Sequence, residues 1–517
     1  MEVAKRVTKN TFILYFRMIL TVFISLWTTR LILSALGQSD FGLFNLIAGI
    51  ISTLGFINGS ITNSTQRFMS FHHGEGDRDV INRVFNVSLL LHLASGVMTA
   101  LMLEIAAYFM FDRVLSISPD KIEQARLLFH LSLTGVVFSI LFTPYDAVII
   151  SRENMKIYSI VSVIESLVKL GIALALQHIE NDRLLYYGML MIATPFISSL
   201  IKIVYCRKRY PECRIHFRRA VDKKLLGSMT SFSGWSFLGS MSSLAANYGQ
   251  AIVVNTFFDT KVNAAQGVTN ELSGKLGALA NTMLKALNPL IAKSEGSGDR
   301  KMMVQAAMLG SKFGFFLLMI LYAPAILEMP YILRLWLGDY PAHTVEFCRL
   351  HLLRELLQQM FLTLTTAIYA VGHIKIFEVF NAVTNLSQIA VAGLLFYLGF
   401  PPESLYIDYL IFTGINALGI LWFSRIKFHL SVLEFIRKVV CRNVIVLGLC
   451  LLMADIPEYY MDPGYPRLIT VLGVGGFSAL VLIWRVGLAR DERKQAAQLV
   501  NETLRSVFAR YAKKRNA

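Results

Sequence analysis

Residues 263–291 read NAAQGVTNELSGKLGALANTMLKALNPLI, and these 29 residues decide the fold. An α-helix needs roughly 20 residues to cross a bilayer, so the stretch is long enough to span with tilt. At about 100° per residue, Glu271, Gly274, Lys275, Ala278, Asn281, Thr282, Lys285 and Asn288 share one face, and Leu272, Leu276, Leu279, Met283 and Leu290 share the other. A lysine near the bilayer centre costs on the order of 2.5–3.5 kcal/mol on insertion scales, so such a face is tolerable only against protein or water. The expectation is an aqueous cavity inside a helical bundle. Two plainer readings compete. A helix lying on the membrane surface fits poorly with the low charge density after Leu276. An i, i+4 pair between Glu271 and Lys275 would neutralise that lysine but leave Lys285 and the asparagines unexplained.

Working outward, 55% of the 517 residues are hydrophobic and the mean hydropathy is +0.54. This composition belongs to a polytopic membrane protein. Apolar segments of about 20 residues recur from end to end, and the expected fold is all-α with about fourteen transmembrane helices. The net charge of +16 is not spread evenly. With both termini on one side, the loops of that side carry 34 of the 50 Lys and Arg residues and the opposite loops carry 7. That asymmetry puts both termini in the cytoplasm and argues against nucleic acid as a partner. The first span follows a basic start but contains Arg17 and Arg30 and reads as an uncleaved helix. Cys206, Cys213 and His216 lack a zinc spacing, and neither a metal site nor a disulfide framework is expected.

Gly74-Glu75-Gly76-Asp77-Arg78 recurs 222 residues later as Gly296-Ser297-Gly298-Asp299-Arg300. The same offset sets Asn45, Ser52, Gly59, Asn63 and Gln66 opposite Gly267, Gly274, Asn281, Lys285 and Asn288. Further on, Met155-Lys156-Ile157-Tyr158 resembles Ile374-Lys375-Ile376-Phe377. The chain therefore reads as two parallel repeats of six spans, which usually enclose a central cavity. The expected organisation is an N-lobe at 1–224, a C-lobe at 225–438, an appended span pair at 439–484, and a basic amphipathic cytoplasmic tail at 485–517.

Arg17 shares a face with Thr21 and Thr28 and is the cavity candidate of the first span, whereas Arg30 is expected to snorkel. Glu165 and Lys169 form a second i, i+4 pair. Glu104, Arg354, Glu355 and Glu378 read as structural charges. If Arg17, Lys275 and Lys285 face one cavity, that cavity is cationic and suits an anion, phosphate above all.

The segment Leu36-Gly37-Gln38-Ser39-Asp40-Phe41-Gly42-Leu43-Phe44-Asn45-Leu46 resembles the opening motif of polysaccharide flippases. These form the O-antigen (Wzx-type) branch of the multidrug/oligosaccharidyl-lipid/polysaccharide exporter superfamily. Thr65-Gln66-Arg67-Phe68 and Met329-Pro330-Tyr331-Ile332-Leu333-Arg334-Leu335-Trp336-Leu337-Gly338 are similar to that branch as well. The resemblance implies two six-helix lobes forming a V, with spans one, two, seven and eight lining the cleft. It also implies a bacterial inner-membrane protein that turns an undecaprenyl-diphosphate-linked oligosaccharide from the inner to the outer leaflet for surface polysaccharide synthesis. In that picture Lys275, Lys285 and Arg17 meet the diphosphate, and Asn281, Asn288, Asn45 and Gln66 meet the sugars. Glu271 is the candidate for coupling to a proton or sodium ion. No cofactor or catalytic residue is expected, and a polysaccharide polymerase is the candidate protein partner. The alternatives are an ion-coupled multidrug or cation antiporter and a flippase for lipid II or a teichoic precursor. A membrane glycosyltransferase or polymerase fits less well, because the outer loops are short.

Overall fold

The computed structural model describes residues 2–113, 117–118, 121–179, 182–216, 222–494 and 497–498. The side chains of residues 2–9, 38, 112–113, 275, 278–281 and 283 fall outside that description. Most of the amphipathic tail expected at 485–517 also lies outside the described residues, and its helix stays an expectation.

Every regular element among the described residues is a helix. In chain order they are α1 (Glu2–Thr53), α2 (Gly55–Glu75), α3 (Arg78–Arg113), α4 (Ile122–Ser151), α5 (Met155–Ala175), α6 (Arg183–Arg209), α7 (Lys223–Phe257), α8 (Thr260–Gly296) and α9 (Arg300–Leu327). Then follow a short α10 (Met329–Leu337), α11 (Thr344–Val371), α12 (Lys375–Tyr397) and α13 (Ser404–Phe428), and finally α14 (Val432–Tyr460) and α15 (Tyr465–Gly487). α1 is interrupted at Gly37, whose φ of 75° is reached readily only without a Cβ. The second apolar segment therefore starts at Ser39, continues into α2 and bends by 47° at Leu54. Long helices thus stand at each of the fourteen segments expected from hydropathy.

The turn motif of the repeat has a local cause. Gly76 and Gly298 adopt φ of 81° and 76° and end the preceding helices in the left-handed conformation. Asp77 Oδ1 then accepts from the amides of Asp79 and Val80, and Asp299 Oδ1 accepts from Met302 N, so each aspartate satisfies orphan donors of the next helix.

Helices α1 and α3–α6 pack mainly within the first half of the chain and α7–α9 with α11–α13 within the second, which gives the two lobes, while α2 packs most heavily on α8 and also on α7 of the other lobe. α14 and α15 pack on each other and on α9. There Arg467 on α15 donates from Nε to Glu328 Oε1 at 2.7 Å.

The lobes meet where the two glycine turns lie, called here the basic end. A Cβ on Gly74 would sit 2.0 Å from Lys293 O, and one on Gly296 would sit 1.9 Å from Phe71 O, so the ends of α2 and α8 touch backbone to backbone. An apolar cluster including Phe68, Met69, Phe85, Tyr145, Met229, Phe232 and Ile374 joins the lobes at this level. Away from it they diverge. Asn45, Ser52, Gly267 and Gly274 are exposed, and a Cβ on Gly42, Gly49, Gly267 or Gly274 would meet no atom within 4 Å. The bundle is a V closed at the basic end.

Among the described residues, ten helices are long and apolar enough to cross a membrane, or eleven with the bent pair counted as one span. The remaining long helices, α7, α8 and α11, are too polar to qualify. All three line the cavities described next.

Candidate functional site

A cavity of about 750 Å³ lies between the lobes above the basic-end closure. Its walls come from α2 (Asn58, Gln66, Arg67), α4 (Asp146), α5 (Tyr158), α7 (Phe232), α8 (Lys285, Asn288) and α11 (Thr366, Tyr369). The expected walls were spans one, two, seven and eight. Helices α2, α7 and α8 do line the cavity, whereas α4, α5 and α11 contribute walls that the resemblance did not include.

Two expected cations converge here on one aromatic ring. Lys285 Nζ donates to Tyr158 Oη at 3.0 Å, and Arg17 lies 5.3 Å from the centre of the same ring while its Nη1 donates to Ser162 Oγ at 3.1 Å. Lys285 belongs to the second lobe and Arg17 and Tyr158 to the first, so the cluster crosses the cleft. Arg17 Nε is buried with no hydrogen-bond partner in the protein. A buried unsatisfied donor beside an exposed ammonium suits an incoming oxyanion.

Of the other expected residues, Gln66 and Asn288 line this cavity, and Asn288 Oδ1 accepts from Thr366 Oγ1 at 3.1 Å. Asn45 and Glu271 are exposed on the far halves of their helices, outside the lining. The side chains of Lys275 and Asn281 lie outside the described residues. Asp146 at the wall is paired with Lys202 at 2.9 Å, so Arg67 and Lys285 leave the described lining net positive.

Arg67 and Tyr158 were not singled out by sequence reasoning. Each nevertheless lies in a stretch already noticed, Arg67 in the Thr65–Phe68 segment and Tyr158 in the recurring Met155–Tyr158 segment. Arg67 donates from Nε to Tyr369 O at 3.1 Å and from Nη2 to Ala370 O at 2.9 Å, which satisfies carbonyls in the last turn of α11 and places a cation at that helix's negative end. Its guanidinium also lies 4.5 Å from the ring centre of Phe68 and 5.0 Å from that of Phe71. A second bridge between the lobes runs from Lys293 Nζ to Glu153 Oε1 at 3.5 Å.

Several of the remaining intramembrane charges are internally paired. Glu165 accepts from Lys169 at 2.8 Å, and Lys169 lines a separate pocket of about 460 Å³ between α1, α5 and α6. Glu104 is 3.0 Å from His130, and Glu355 accepts from Ser273 and Tyr322. Glu378 accepts from Tyr369 Oη at 2.7 Å and faces a second chamber of about 410 Å³ inside the second lobe. That chamber shares Asn63, Leu362, Thr365 and Tyr369 with the central cavity. Among the described residues no three His, Cys, Asp or Glu side chains gather as a metal site, and all five cysteines are free.

This arrangement of two lobes, a basal closure and an interlobe cavity defines a multi-pass membrane protein with the MATE transporter fold. Residues 14–175 match the MatE family. A solved structure of a MATE point mutant superposes with a TM-score of 0.71 at 15% identity, covering 84% of this chain and 96% of that one. An outward-facing multidrug resistance MATE family transporter of the MOP superfamily gives 0.68 at 15% identity, covering 82% and 95%. A MOP superfamily transporter from Pyrococcus furiosus, described as having a binding pocket of reversed polarity, gives 0.69 at 14% identity, covering 83% and 96%. By sequence, the uncharacterized membrane protein EpsK of Bacillus subtilis (strain 168) is 21% identical over 283 residues, 54% of this chain. The match spans 55% of that relative's own length.

Proposed function

We propose that this protein is a flippase that moves a polyprenyl-diphosphate-linked oligosaccharide from the inner to the outer leaflet by alternating access, for assembly of a surface polysaccharide. The basic end is the cytoplasmic one in this reading, and the V is open outward. The observation that carries it is the convergence of Arg17 and Lys285, one from each lobe, on Tyr158 at an interlobe cavity whose described lining is net positive. Cations contributed by both lobes bind a diphosphate in whichever state brings them together, and release it when the lobes part. A bacterial inner membrane is the setting, and a polysaccharide polymerase receives the product.

The second reading is a multidrug or cation antiporter. One superposing structure is a multidrug resistance transporter, and Glu378 offers a carboxylate to a cationic solute. Purified protein in proteoliposomes separates the two. Flipping of fluorescent undecaprenyl diphosphate carrying an oligosaccharide, without uptake of ethidium, is the expected result. Ethidium transport with no lipid flipping would replace the flippase reading by the antiporter.

A further inference from the structure

The chamber inside the second lobe has a chemistry unlike that of the central cavity. Eight of its lining residues are Asn or Gln, six are Ser or Thr, and four are aromatic, against one arginine and one glutamate. The single pair of opposite charges, Arg354 and Glu378, leaves this lining neutral. Its volume of about 410 Å³ lies within the usual ligand-pocket range of about 300–1,000 Å³.

Two features show a site prepared for hydrogen-bonding solutes rather than packed for stability. Gln250 is only 2% exposed, yet its Oε1 has no partner in the protein. Asn381 Oδ1 and Arg354 Nε are likewise buried without a partner. A buried polar atom without a partner is costly to keep, so a ligand that pairs with these atoms gains binding energy from them. A second feature fixes the carboxylate. A Cβ on Gly239 would lie 2.0 Å from Glu378 Oε2, so glycine makes room for Glu378, which Tyr369 and Asn381 also hold.

We infer that this chamber is a binding site for the neutral, polyhydroxylated part of a ligand whose anionic part sits at Arg17 and Lys285. Carboxamides both donate and accept, as sugar hydroxyls do, and the half-buried Phe412 adds an apolar surface that suits a pyranose ring. The two cavities adjoin at Asn63, Thr365 and Tyr369, which line both, so a ligand long enough to pass these side chains reaches from one to the other. This rests on the flippase reading and adds the place of the glycan to it. The glycan site then differs from the expected Asn45, Gln66, Asn281 and Asn288 of α1, α2 and α8, and lies largely in α7, α11, α12 and α13.

The test compares two lipids in proteoliposomes: lipid-linked oligosaccharide extracted from the native cells, and undecaprenyl diphosphate without sugar. Wild-type protein is expected to bind and flip the glycosylated lipid at least about tenfold better, the scale of two satisfied buried groups. In the double variant Gln250→Leu, Asn247→Leu that preference should fall to within about twofold. The variant is expected to keep its thermal midpoint, because Gln250 Oε1 has no protein partner to lose. Equal flipping of both lipids by the wild type, or an intact preference in the folded variant, would overturn the chamber assignment while leaving the flippase reading in place. A wild type that flips neither lipid would overturn both.

Discussion

Gly74 on α2 and Gly296 on α8, 222 residues apart, make one and the same contact twice. Gly74 packs against Lys293 O and Gly296 against Phe71 O, and Phe71 and Lys293 are themselves 222 apart. The repeat thus meets itself about a local two-fold relation, and each glycine admits a carbonyl of the helix that carries the other glycine. Gly74→Val and Gly296→Val should therefore act alike. Neither clash can be relieved by a side-chain rotation, and overpacking of this kind costs typically about 1–3 kcal/mol. That shifts a two-state closure about 5–150-fold toward opening. Thiol labelling of a cysteine at Ala292, which is 4% exposed, checks it by rising in both variants. A rise in only one would show that the two contacts are not equivalent.

Arg67→Gln should open the same end by a different route. It removes two charge-assisted hydrogen bonds to the last turn of α11, each worth about 1.5–3 kcal/mol in net terms. Arg67→Lys keeps the charge but cannot reach both carbonyls in a fork, so it should fall between Gln and wild type. Combined with Gly74→Val, the effect on Ala292 labelling should be less than additive, because both act on one closed state.

At the cation cluster, Lys285→Gln and Arg17→Gln should each lower lipid flipping by about tenfold or more, the equivalent of about 1.4 kcal/mol, with normal accumulation of the protein. Lys285→Arg should retain most activity. Tyr158→Phe removes the hydroxyl that accepts from Lys285 but keeps the ring beside both cations, so its loss should be smaller. Full activity in the Arg17→Gln, Lys285→Gln double variant would rule out a diphosphate role for the pair.

The driving force follows from sign. A headgroup with about two negative charges leaving a negative cytoplasm gains about 2.3 kcal/mol per charge for each 100 mV. An imposed potassium–valinomycin potential, inside negative relative to the receiving face, should therefore speed flipping more than a pH gradient does. Flipping that ignores the potential, follows the pH gradient and loses that response in Glu271→Gln would make proton antiport obligatory.

Much of this architecture was legible in residues 263–291. Two lysines, two asparagines and several small residues on one face of a spanning segment require protein or water beside them, and Lys285 and Asn288 do line the cavity. The repeat was legible because its turns need a left-handed glycine followed by a capping aspartate, which few other residues supply. Asn45 and Glu271 lie outside the cavity lining because a helical wheel fixes direction but not depth, and the lobes diverge where these residues sit. The second-lobe chamber was not legible. Its residues come one or two per turn from α7, α11, α12 and α13, and no single segment shows enough of them to suggest a site. Arg67 was hidden for another reason, since a cation near a span end reads as a topology signal until its carbonyl partners are seen.

The polarity of α7, α8 and α11 has a consequence for biogenesis. Each is long enough to cross the bilayer but too polar to qualify by itself, and each is bordered in sequence by at least one helix that does qualify. A nascent segment of that kind gains little by leaving the translocation channel alone, because its asparagines and lysines would face hydrocarbon. α7 packs against α12, and α8 against α9 and α11, so its neighbours in the finished lobe are largely synthesised after it. Stable insertion of α7 and α8 is therefore expected to depend on the later helices they pack against, and chains truncated before α11 should hold them poorly in the membrane.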